Sequence, residues 1–126
     1  MLTEDICSHS VSRSHSEFAF QASADVLLAL ANRQRLRILK LLCDSEWDVT
    51  SLARAINISQ PSLSQHLAKL KSSGLVAGQR DSTTIRYRCI SPFVKQVVDV
   101  IERDFPETRD RLSHERELKK SRMMLV

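Results

Sequence analysis

The chain has 126 residues, a formal net charge of +4, and 42% apolar residues, enough for one domain around one modest core and too few for a second of ordinary size. Two glycines and three prolines exclude a low-complexity or disordered chain and suit a helix-rich one. No stretch approaches the roughly 20 apolar residues of a membrane span, and three widely spaced cysteines, Cys7, Cys43 and Cys89, do not describe a disulfide framework.

Residues 1–15 are polar, rich in Ser and His, and read as a mobile N-terminal arm. Glu4 and Asp5 with no apolar run beside them do not make a signal peptide, so a cytoplasmic location is expected. From Ser16 the pattern changes. Phe18, Ala22, Val26 and Ala29 recur at helical spacing, widened by Leu27 and Leu30, and predict a first helix ending near Asn32. Asn32 suits the N-cap of a second helix, where Arg33, Arg35, Arg37 and Lys40 interleave with Leu36, Ile38, Leu39, Leu41 and Leu42. That pattern predicts a buried helix with one basic side, ending near Asp44 and Ser45.

Trp47-Asp48-Val49 is short and β-prone. Thr50 reads as the N-cap of a brief third helix carrying Leu52, Ala53 and Ile56. Asn57-Ile58 is a tight break. Ser59 caps a fourth helix, with Pro61 in its first turn, where a missing N–H costs little. Leu63, Leu67 and Leu70 are its apolar stripe, and Gly74 ends it in the left-handed conformation.

Beyond Gly74 the period drops to two. Leu75-Val76-Ala77 leads to a polar turn at Asp81-Ser82-Thr83, after which Ile85, Tyr87 and Cys89 alternate with Arg86 and Arg88. This predicts a β-hairpin with one face on the core and one basic face. Pro92 opens a last helix with apolar rows Phe93, Val97, Val100 and Val94, Val98, Ile101; Pro106 interrupts it. The expected organisation is an arm (1–15), one folded domain (16–105) and a charged tail (106–126). The tail carries helix-compatible pairs, Asp110 with His114 and Glu115 with Lys119, and adds little to a core.

The order α-α-α-α-β-β-α, mainly α with a β-hairpin wing, is that of a winged helix-turn-helix, and its third and fourth helices have the lengths and the turn of the helix-turn-helix itself. The fourth is the candidate recognition helix. Gln60, Ser62, Ser64, Gln65 and His66 are expected on its exposed N-terminal part, short or amide-bearing groups able to donate to and accept from base edges in a major groove. Lys69 and Lys71 lie further along and suit the phosphate backbone. The wing adds Arg80, Thr83 and Arg86. From Arg33 to Arg88 ten basic side chains face four acidic ones, a balance that fits a polyanionic partner. Double-stranded DNA is therefore the expected partner.

These segments resemble the ArsR/SmtB family of regulators. The resemblance lies in the run LALANRQRLRIL at 28–39, in ISQPSLSQHLAKL at 58–70, and in GLV at 74–76 with RDSTTIRY at 80–87. It covers roughly residues 20–102 and implies a dimeric repressor on a palindromic operator, with the first and last core helices at the dimer interface. The wide apolar arc from Phe93 to Ile101 agrees with a homodimer. One departure is Ser82, where the family often has Gly, and this leaves the type of turn at the wing tip open.

Metal-sensing members carry two cysteines in the segment that matches Glu46–Leu52, and here those positions are Asp48 and Thr50. A second family site fails on the last helix, where Asp99 is followed by Val100 and Ile101 and only His114 lies downstream. Cys7, His9, Asp48 and His114 do not make a convincing set of three or four ligands, so no metal and no cofactor are expected. Cys43 sits where thiol-responsive relatives carry a reactive cysteine. Their second cysteine falls near Phe105 here, so Cys7 is the remaining partner and Cys89 reads as core. A redox- or sulfide-responsive repressor acting through Cys43 is the first alternative, and a winged-helix protein-interaction module without DNA binding the second. Catalysis is not expected: Ser62 and His66 at i,i+4 lack an acid partner and an oxyanion site. The inducer is not legible.

Overall fold

The computed structural model describes the backbone of residues 2–106 and the side chains of residues 16–106. In chain order the elements are α1 (Leu2–Leu30), α2 (Arg33–Asp44), β1 (Trp47–Asp48), α3 (Val49–Ile56), α4 (Gln60–Ser72), β2 (Val76–Asp81), β3 (Thr84–Cys89) and α5 (Pro92–Asp104). The backbone of α1 runs through residues 2–15, set apart by sequence as an arm, without a break at Ser16. The side chains of Cys7 and His9 and the charged tail beyond residue 106 lie outside the described residues.

α2 is the axis of the domain. Asn32 caps it as the sequence predicts: its Oδ1 accepts from the N–H groups of Gln34 and Arg35, each at 3.0 Å. Ile38, Leu39 and Leu41 are fully buried, and α2 packs against α3, α4, α5 and β3. The basic side expected of α2 is only in part a free surface: Arg33 is exposed, but Lys40 and Arg35 are engaged. Lys40 is only 5% exposed, and its Nζ lies 2.5 Å from Glu102 Oε1 on α5 and 3.5 Å from Asp44 Oδ1. Arg35 turns back on α1, donating from Nε to the carbonyl of Ala29 (2.6 Å) and from Nη2 to that of Leu28 (3.3 Å). It thereby satisfies carbonyls that the end of a helix leaves unpaired.

The sheet has one strand more than the pattern predicts. β1 joins the hairpin edge to give the order β1-β3-β2, all antiparallel, with Trp47 opposite Tyr87 and Asp48 opposite Arg86. This pairing moves the start of α3. Its N-cap is Asp48, whose carboxylate accepts from the Ser51 N–H at 3.0 Å, and not Thr50. Residue 48 is thus the last residue of the strand and the cap of the helix.

In the hairpin, Val76 pairs with Cys89, Gly78 with Tyr87 and Arg80 with Ile85. A Cβ on Gly78 would stand 2.9 Å from the Tyr87 ring, so this glycine lets the aromatic lie across its neighbouring strand. A two-residue turn, Ser82-Thr83, links Asp81 to Thr84. Ser82 has φ 60° while Thr83 is not positive, the φ pattern of a type II′ turn, where glycine is the preferred residue.

Candidate nucleic-acid interface

The link between α3 and α4 is fixed by backbone chemistry. Asn57 closes α3 in the left-handed region at φ 63°, a conformation asparagine tolerates better than most residues. The Ile58 N–H returns to the Ala53 carbonyl at 3.1 Å. Ser59 then caps α4, accepting from the Ser62 N–H at 3.3 Å. At the far end the Leu75 N–H bonds the Leu70 carbonyl and the Gly74 N–H that of Lys71, both at 3.0 Å. With Gly74 at φ 74° this is a complete Schellman closure, as the sequence predicts.

Leu63, Leu67 and Leu70 are buried and fix the rotation of α4. At 3.6 residues per turn, Gln65 then stands opposite the buried stripe. Ser62 and Lys69, seven residues apart, share one edge, and Ser64 and Lys71 share the other. Gln60, Ser62, Ser64, Gln65, Lys69 and Lys71 are all exposed, whereas His66 is half-buried. Burial, and then the positive charge of Arg35, hold the His66 imidazole below its ordinary pKa. Ser62 Oγ accepts from Ser59 Oγ at 3.0 Å, which leaves its own proton for an outside acceptor. Gln60 Nε2 donates to Thr50 Oγ1 at 3.4 Å, which ties the first residue of α4 to the first turn of α3.

The wing separates residues that sequence reasoning groups together. Arg80 shares a face with Ile85 and Tyr87; Arg86, opposite Gln79, lies on the reverse face with Arg88 and Asp48. Thr83 is at the tip. All of Arg80, Thr83, Arg86 and Arg88 are exposed.

Cys89 is in the core, as its alternation predicts, and stands near Cys43. Cys43, half-buried in the last turn of α2, meets Cys89, buried at the end of β3. Cys89 belongs to the central core cluster and Cys43 packs against it. The neighbouring Cys89 thiol, with burial adding to the effect, holds the Cys43 proton in place, while Cys43 draws the Cys89 thiol down to about 6. The Cys89 sulfur also lies 3.7 Å from the Ser91 carbonyl, and Lys95 of α5 favours the thiolate form of both. The alternation of Ile85, Tyr87 and Cys89 is a signal that Cys89 points inward; its meeting with Cys43 is a tertiary fact. Among the described residues no group of three or more His, Cys, Asp or Glu side chains is placed to hold a metal ion.

Two short helices crossing at a capped turn, on a three-helix core and flanked by a β-hairpin, define a winged helix-turn-helix protein. Residues 32–77 match the family model described as "Bacterial regulatory protein, arsR family". The chain is similar to the transcriptional activator HlyU of Vibrio cholerae, at 42% identity over 65% of this chain and 77% of the relative. It is also similar to the nodulation protein NolR of Rhizobium meliloti, at 35% identity over 80% of this chain and 83% of the relative. Among solved structures, a homodimeric winged helix-turn-helix DNA-binding domain from Mycobacterium bovis superposes with a TM-score of 0.65 at 33% identity, covering 72% of this chain and 84% of that one. The chain belongs to the arsR family of bacterial regulatory proteins.

Proposed function

We propose that the chain is a cytoplasmic transcriptional repressor that binds a palindromic operator in double-stranded DNA as a homodimer, and that it is not an enzyme. The observation that carries this reading is the division of α4. Three leucines anchor it, and its outward surface consists of small hydroxyls and amides flanked on both edges by lysines. Such a surface can read base edges with Gln60, Ser62, Ser64, Gln65 and His66 while Lys69 and Lys71 meet phosphates. The wing supplies Arg80 and Thr83 beside it. The homodimer is supported by apolar side chains that α1 and α5 leave uncovered, Phe18 at 78% and Leu28 at 64% exposure among them.

The test is a fluorescence-anisotropy titration of the full chain on a duplex from its own upstream region and on a scrambled duplex, at several salt concentrations. Tighter binding to the first, with log Kd rising steeply with log salt, is the expected result. Failure to bind either duplex overturns the reading in favour of a protein-interaction module. Repression is read by a promoter-reporter assay in which removal of the protein raises transcription.

The Cys43–Cys89 contact favours a second, regulatory reading in which the repressor is thiol-responsive. The Cys89 thiolate attacks a hydroperoxide, giving a sulfenic acid and an alcohol. Cys43 then displaces the hydroxyl, which leaves as water, and a disulfide forms; the dithiol loses two electrons and the hydroperoxide gains them. Cys43 and Cys89, and not Cys7, form the reacting pair on this reading. Hydroperoxide treatment should weaken DNA binding in the wild type and in Cys7→Ser, and leave Cys43→Ser and Cys89→Ser unaffected. Equal loss in Cys89→Ser and the wild type refutes it.

A further inference from the structure

β1 is two residues long, and its second residue does two things. Asp48 is the strand partner of Arg86 and the N-cap of α3, accepting from Ser51. Residues directly opposite on antiparallel strands hold their Cβ atoms about 5 Å apart, so Arg86 faces, across the strand pair, a carboxylate fixed at a helix N-terminus. The next residues of α3 carry the connection onward, because Thr50 accepts from Gln60 at the start of α4. The wing and the reading helix are thus referred to the same short strand.

The two faces of the hairpin differ in charge. The face of Arg86 also carries Arg88, Asp81 and Asp48, so its arginines stand among acids. The opposite face carries Arg80 as its only charged hairpin residue, beside Ile85 and Tyr87. One face balances in formal charge, two arginines against two aspartates, and the other carries a single cation.

We propose that Arg86 is a positioning residue, which fixes the wing on the helix-turn-helix through Asp48, and that Arg80 is the wing's phosphate contact. Asp48 responds as such a partner should. Burial pushes its carboxyl up, but hydrogen bonds from Ser51 and from its own backbone, with the charge of Arg86 as the smallest contribution, more than reverse this and leave it below the ordinary carboxylate range. The proposal rests on the DNA-binding reading for its role, and on the free protein for its geometry.

The experiment is a mutant cycle read in two ways. On duplex DNA, Arg80→Ala should lower the slope of log Kd against log salt by about 0.9, the value of one phosphate contact. Arg86→Ala should leave that slope unchanged and weaken binding to the specific duplex by about two- to fivefold, the range of a cross-strand charge pair. Arg86→Lys should restore it. Asp48→Ser keeps a capping oxygen and removes the charge; in that background Arg86→Ala should have no further effect. In the DNA-free protein the same cycle, followed by thermal melting, should give non-additive losses. A fall of about 0.9 in the slope for Arg86→Ala overturns the assignment. Additive losses in the melts overturn the pairing even if no duplex binds, whereas absence of binding alone would count against the DNA-binding reading only.

Discussion

The reading half of the molecule and its outer helices are built to different degrees of completion. In α3 and α4 the helix ends are closed by Asp48, Asn57, Ser59 and the Ser73-Gly74 turn, and the apolar stripe is fully covered. α1 is 29 residues long, yet among its described side chains the core contribution is confined to the last turns, with Ala29 and Leu30 buried and Val26 partly so. Phe18, Phe20, Leu27 and Leu28 remain exposed on α1, and Phe93, Val100 and Phe105 on or beside α5. The helix-turn-helix is finished within one chain. The outer helices present half of an interface, and covering a Phe or Leu side chain stabilises by about 2 kcal/mol.

That contrast can be broken at several points. The largest expected effect is in the finished half: Leu63→Ala should cost about 4 kcal/mol, seen as a lowered Tm. Glu102→Ala cuts the tie between α5 and α2 and leaves the buried Lys40 charge with only its longer contact to Asp44, at a cost of about 3 kcal/mol; Lys40→Met with Glu102→Leu should regain most of it. In the unfinished half, Phe18→Asp should raise the dimer dissociation constant about 30-fold, a loss of about 2 kcal/mol. The change should alter monomer stability by less than about 0.5 kcal/mol. Sedimentation and melting at low concentration separate the two, and a drop in monomer stability with an unchanged dimer constant would erase the contrast. At the wing tip, Ser82→Gly should stabilise by about 1 kcal/mol by relieving a positive φ.

The smallest effect is a titration. The Asp48 carboxyl sits below its ordinary 3.8 when folded, so on acidification the unfolded chain takes up its proton first. The stabilisation is complete above pH 3.8 and is lost as the pH falls through the folded value. Asp48→Asn should flatten that part of the stability curve.

Caps were the most legible features because their chemistry is local. Asn32, Ser59 and Gly74 act within a turn of themselves, and each occupies the place its residue type suggests. The sequence pattern points to Thr50 as the cap of α3, whereas the helix start is fixed by Trp47 pairing with Tyr87, a contact from a distant part of the chain. Lys40 looked like surface charge for the same reason, since its partner Glu102 is on the last helix. The separation of Arg80 from Arg86 needed only the parity of the hairpin, and parity depends on a two-residue turn that Ser82, standing where glycine is preferred, concealed. The exposed side of α4 followed directly from the spacing of three leucines, and the meeting of Cys43 with Cys89 did not follow from spacing at all.

The leucine stripe of α4 has a consequence for descent. Leu63, Leu67 and Leu70 hold the helix, while Ser64 and Gln65 stand in solvent and make no contribution to the core. Exposed positions of this kind accept replacement at a cost within about 0.5 kcal/mol. A duplicated copy of this protein can therefore drift to a new target one outward residue at a time, with every intermediate still folded.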